Sequence, residues 1–217
     1  MGFSFPGSCK DGGGTQPPRG PAEVRAYWEA LRRDGAIPAR ADLDPRGMAD
    51  VLEQVFVAER IGKGLVRLRI AGMALTELAG AEMRGLPLSA LFASGARAQL
   101  AEVLDRVLTL PQVAELQLAA ESGIGRPALS ARLLLLPLRS NAGARDLVLG
   151  CLATRGEVGR GPRHFSITRA TEERLTLPGL SQIAAPPHLS AFAEPPVPPL
   201  APARPGRAHL RLVHSAG

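Results

Sequence analysis

Between residues 55 and 154 the chain sets out its patterned segments in a telling order. Two short strand-like runs come first, then a stretch of short helical pieces, then three more strand-like runs. In about 100 residues that order is the layout of a small antiparallel sheet with helices packed on one face. It constrains the fold far more than it constrains any ligand.

The individual signals are local. Val66, Leu68 and Ile70 alternate with Arg67 and Arg69, which reads as a strand over 65–71 with the three aliphatics on one face and the two arginines on the other. Gly62-Lys63-Gly64 supplies a tight hairpin between that strand and one over 55–61. Gly80, Gly85 and Pro87 break the apolar clusters of 73–92 into brief helical turns, and a longer helix follows over 95–108, with Ser94 as its expected cap. Strands over 113–120, 128–138 and 147–154 complete the set; the consecutive aliphatics of the last two mark them as central strands covered on both faces.

Ahead of the sheet lies an amphipathic helix opened by Pro21, with Val24, Tyr27, Trp28 and Leu31 at helical spacing and Gly35 at its end. It carries the chain's single Trp and single Tyr and must cover an apolar surface, on its own domain or on a partner. Asp44-Pro45 then reads as a cap and first-turn proline of a second short helix, with Met48, Val51, Leu52 and Val55 on one stripe.

The flanks differ in character. Residues 1–20 hold six glycines and three prolines and are expected to be a disordered leader. Residues 161–217 read as a mostly disordered tail, with eight prolines among residues 186–208. The tip at 208–215, with Leu210, Leu212 and Val213, has the pattern to add to an open sheet edge. The domain is therefore expected over 21–160. No apolar run approaches the roughly 20 residues of a membrane span and no secretory signal is apparent, so a cytoplasmic protein is expected.

A net charge of +6 invites a nucleic-acid reading, but residues 21–160 carry only +2 of it, and Arg outnumbers Lys 24 to 2. An adaptor that binds nucleic acid through its Arg-bearing flanks is thus the second reading, not the first. Histidine is missing from residues 1–163, which removes the commonest general base and metal ligand from the expected core, so neither catalysis nor a metal site is expected there. Cys9 and Cys151 are too few and too far apart for a metal knuckle or disulfide framework, and Cys151 reads as a small core residue. Asp42 and Asp44 form a carboxylate pair, but helix capping accounts for Asp44. Arg67 and Arg69, on one face of one strand, could hold an acidic ligand or a partner helix; Trp28 could anchor an interface. These three are the candidate interaction residues.

Taken in order, Tyr27-Trp28-x-x-Leu31, Pro38-x-Arg40-x-Asp42-x-Asp44-Pro45, Arg67-x-Arg69-x-x-Gly72 and Gly85-x-Pro87-Leu88 resemble a group of stand-alone bacterial PAS-domain proteins, over roughly residues 21–160. The resemblance implies an α+β, PAS-like fold: a five-stranded antiparallel sheet with helices on one face, preceded by an N-terminal helix that often mediates dimerisation. It also implies a sensory or regulatory role through protein–protein contacts. The first reading of this chain is accordingly a non-catalytic module that forms a homodimer and binds a protein partner, open to control by a small-molecule ligand in the sheet–helix cavity. It carries no cofactor across. No Cys lies in the helical stretch, where flavin photosensors hold their Asn-Cys-Arg-Phe-type motif, and no core His is available for haem.

Overall fold

The structure is a computed structural model that describes residues 19–176. The first helix, α1 (Arg19–Leu31), buries Val24 and Trp28, which stand four residues apart and so project from one face. It ends at Arg32, whose ψ of 88° leaves the helical region, and a short turn follows in which Asp34 and Gly35 take positive φ, 52° and 75°. The 3-10 turns of Pro45–Gln54 start as expected: Asp44 Oδ1 accepts the Arg46 N–H at 3.0 Å, and Pro45 takes the first position. The neighbouring Asp42 accepts the Ala39 N–H at 2.8 Å, so both carboxylates of the pair serve the local backbone.

Strands β1 (Val55–Gly62) and β2 (Leu65–Ala71) form the hairpin, closed by Lys63 and Gly64. Gly64 needs its lack of a side chain twice over: its φ is +63°, and a Cβ there would press on the Ala101 carbonyl oxygen at 2.5 Å. Helix α2 (Met73–Ala79), short turns at Leu88–Leu91 and Ser94–Ala96, and helix α3 (Arg97–Thr109) follow. Ser94 does not cap α3. It opens the preceding turn, and the cap position falls to Ala96, which has no side-chain acceptor. The chain then returns as β3 (Gln112–Ala120), β4 (Ser130–Leu138), β5 (Leu147–Arg155) and β6 (Phe165–Arg174).

All pairings are antiparallel, in the order β2-β1-β5-β4-β3-β6. The sheet thus has six strands, not the expected five. The extra one, β6, lies in the stretch expected to be tail, so the domain runs past residue 160. Only Phe165 in β6 is buried, and the strand is held on β3 by its backbone ladder, which leaves no alternation to read. The expectations for the leader up to residue 18, and for residues 177–217 with the tip at 208–215, lie outside the described residues.

Two cores sit on opposite faces of this sheet. On β4, Leu133 and Leu135 enter one and Leu134, Leu136 and Leu138 the other, as the period of two requires. The inner core packs α2, α3 and the intervening turns against the sheet. The outer core packs α1 and the turns of Pro45–Gln54 against β4 and β5, so helical segments cover both faces, not one. Each fully buried Leu or Val contributes roughly 1.5–3 kcal/mol before entropic costs.

Candidate functional site

The space between the inner helices and the sheet, where a small ligand was expected to sit, is filled by side chains. Phe56, Met83, Leu88, Leu91 and Phe92 are all within 1% of full burial. Gly150 on β5 leaves room for the Phe56 ring, and a Cβ at that position would overlap it.

The open surface is on the other side, at the end of the sheet that α1 does not reach. A cleft of about 390 Å³ lies between the turns of Pro45–Gln54 and the outer face of the β1–β2 hairpin. Its walls are almost wholly apolar: Leu43, Met48, Leu52, Val57, Ile70 and Met73 line it, with Arg40 and Glu53 beside them. The floor depends on Gly72, whose N–H donates to Val55 O at 2.9 Å and whose Cβ, if it had one, would collide with the Glu53 carbonyl.

Ile70 reaches this cleft through an irregularity in the ladder. Val57 pairs with Ile70 and Ala58 with Leu68, so Arg69 is the extra residue of a β-bulge. Directly opposed residues share a face, and Val57 belongs to the outer core. Ile70 is therefore turned outward and is 46% exposed, which corrects the expectation that it shares a face with Val66 and Leu68.

The same twist gathers charge beside the cleft. Glu59, opposite Arg67, accepts from Arg67 at 3.3 Å and forms an ion pair with Arg69 at 2.5 Å. Arg67, Arg69 and Arg84 edge a second, smaller cleft of about 180 Å³ along β2. The free edge of β2 is already in use. Leu68 N–H donates to Leu86 O at 2.9 Å, and Gly85 N–H donates to Leu68 O at 2.8 Å.

Of the three candidates named from sequence, the structure brings Arg67 and Arg69 together and places Trp28 apart from them. Trp28 is fully buried in the outer core, its Nε1–H donating to Pro137 O at 3.0 Å, with the Arg32 guanidinium 5.3 Å from its ring centre. It offers no surface to a partner in this arrangement. The neighbouring Tyr27 hydroxyl donates to Asp44 O and accepts the Asp44 N–H, tying α1 to the turns that roof the cleft.

Two further groups bear on chemistry. Cys151 is buried under α1, and burial pushes its thiol up to about 12. Arg163 is 1% exposed and is held by carbonyls alone: those of Val158, of Glu121 at 3.1 Å and of Pro127 at 2.7 Å. That cation ties the β3–β4 turn to the β5–β6 connection.

Sequence reasoning missed Leu52, Ile70 and Met73 as surface residues. Leu52 and Ile70 continue apolar patterns, and Met73 opens the apolar clusters of 73–92, so all three read as core.

Comparison with known proteins gives a family. A family model described as a PAS domain matches residues 18–153, a span that ends before β6. No curated protein matches the chain. Among solved structures, an RNA-binding light-oxygen-voltage receptor is similar at 16% identity and a TM-score of 0.35, over 56% of this chain and 36% of that one. A point variant of RsLOV is similar at 17% identity and a TM-score of 0.34, over 65% of this chain and 72% of that one. The chain thus spans about a third of the receptor's length.

Proposed function

The chain belongs to the PAS-domain family, and from that premise we propose that it is a non-catalytic regulatory module which acts by binding another protein at the β1–β2 cleft. A sensory or regulatory role comes with the family; the docking surface is our reading of this chain. One observation carries it. Among the described residues eight large hydrophobics are exposed, and three of them, Leu52, Ile70 and Met73, come from separate elements and line this one cleft. Scattered exposed aliphatics need no explanation, but a gathered set marks a surface that is covered in use.

Three facts support this reading over the alternatives. The inner core is packed with side chains, so the reading needs no resident ligand there. The buried Cys151 thiol stays protonated and is a poor nucleophile. Trp28 and its helix are committed to their own sheet, so contact is assigned to the cleft and not to α1. Among the described residues no helix is long and apolar enough to cross a membrane.

A photo-crosslinking residue placed at Met73, with the same residue at the fully exposed Ile124 as control, tests the assignment in the cells that make the protein. A discrete protein adduct from position 73 alone is expected. Matching patterns from the two positions, or no adduct from either, refute it.

A further inference from the structure

We infer that β6 is a conformational strap that couples the two helical layers around the edge of the sheet, so that loosening its hold on α3 at the inner face also frees α1 at the outer face. This goes beyond the docking role and does not rest on it. The basis is the period of two in a strand. Successive residues point to opposite faces, so a single edge strand can reach both layers. Glu172 lies opposite Ala114 of the inner core, and Glu173 lies opposite Val113 of the outer core. Each carboxylate meets the helix on its own side. Glu172 accepts from Nε and Nη2 of Arg106 on α3 at 2.8 and 2.6 Å, and from Nε2 of Gln112 at 2.6 Å. Glu173 pairs with Arg25 on α1 at 2.5 Å.

Just past the strand the chain stays with the outer layer. Leu175 is buried in the outer core that α1 closes, and Thr176 O accepts from Arg32 at 3.1 Å, immediately after α1 ends. At its other end β6 starts in the inner layer. Phe165 is fully buried there, and its carbonyl accepts the Ala93 N–H at 3.0 Å. No other side chain of the strand is buried, so its hold on β3 is the backbone ladder and the ion pairs just named. An element with so few buried contacts opens before the core strands do. When it lifts away, α1 loses Glu173 and the Thr176 carbonyl, and the outer core loses Leu175. Each ion pair is partly exposed and weak by itself. Because the two carboxylates are neighbours on one strand, weakening either one shifts the same opening, and the coupling between the layers follows.

The test uses the full chain and hydrogen–deuterium exchange read by mass spectrometry. Glu172→Lys sets a like charge against Arg106 and removes the acceptor of Gln112, while leaving every contact of α1 in place. It is expected to speed exchange about tenfold across residues 166–174 and about twofold across 22–31, with β4 and β5 unchanged. Glu172→Gln should give the same pattern at smaller amplitude. Asp105→Lys is the control, because Asp105 holds the same helix to Arg60 of β1 at 2.6 Å, away from the strap. It should loosen α3 and leave 22–31 exchanging as in the parent. Faster exchange at 166–174 with 22–31 unmoved overturns the inference, since β6 would then open without consequence for α1. An equal gain at 22–31 from Glu172→Lys and Asp105→Lys overturns it as well, because the layers would then be coupled through the sheet. So does acceleration of β4 and β5 along with the rest, which would be loosening of the whole domain.

Discussion

Val57 and Ile70 stand directly opposite each other on β1 and β2, yet one is 6% exposed and the other 46%. Both lie on the outer face. Val57 is covered by the turns of Pro45–Gln54, while Ile70, on the edge strand, lies beyond their reach and forms the open side of the cleft. One cross-strand pair thus joins the outer core to the candidate docking surface.

That difference predicts opposite costs for the same substitution. Val57→Asp buries an unpaired carboxylate and should cost several kcal/mol in urea unfolding. Ile70→Asp should change stability by only about 0.5 kcal/mol, because its side chain already meets water. Comparable large losses for both would mean that Ile70 is buried after all.

Trp28→Ala should be among the most damaging changes in the molecule, about 3–5 kcal/mol, since it empties the outer core beneath α1. Trp28→Phe keeps most of the volume but strips Pro137 O of its donor, so about 1–3 kcal/mol of loss is expected from that change. Denaturant titration of the three proteins orders them; a Trp28→Ala protein as stable as the parent would place the indole outside the core.

Cys151 should resist thiol reagents in the folded protein at pH 8 and react at the rate of unfolding or local opening. Its folded thiol is pushed up to about 12 by burial, from a reference of 9.0. The sign follows. Below pH 9 both states are protonated and the contribution to stability is fully present. Above it the unfolded thiol ionises first, and stability falls by up to about 1.4 kcal/mol per pH unit until the folded thiol ionises near 12. Cys151→Ala should remove that component of the alkaline slope; an identical slope in the variant would show the thiol to be accessible.

The edge strand β6 is fastened by charge. Arg106 donates to both Glu172 oxygens at 2.8 and 2.6 Å, Gln112 donates to the same carboxylate at 2.6 Å, and Arg25 on α1 pairs with Glu173. The Arg106 hydrogen bond holds the Glu172 carboxyl below its ordinary range. The stabilisation is therefore present at neutral pH and is lost as pH falls through that depressed value. Glu172→Gln should speed amide exchange across residues 166–174 while β4 and β5 stay protected, at a cost of no more than about 1 kcal/mol for so exposed a network. Uniform exchange along the whole sheet would show that β6 does not open separately.

Much of this molecule was open to reading from its residues. The period-two runs and the Gly62-Lys63-Gly64 turn located five strands, and the Asp44-Pro45 signal located the start of the roofing turns, because hydrophobic periodicity and turn stereochemistry are short-range properties. Interior strands such as β4 announced their double burial through consecutive leucines. What pattern could not report was set by neighbours distant in the chain. The strand β6 is mostly polar and exists because β3 presents an unpaired ladder beside it. Ile70 continues an inward alternation that a bulge at Arg69 breaks, and a bulge leaves no mark on side-chain identity. Arg67 and Arg69 were recognisable as a pair of cations, but not the apolar trough beside them. That trough arises only where the Pro45–Gln54 turns cross the hairpin at Gly72, and such an encounter between separate elements is a property of tertiary packing alone.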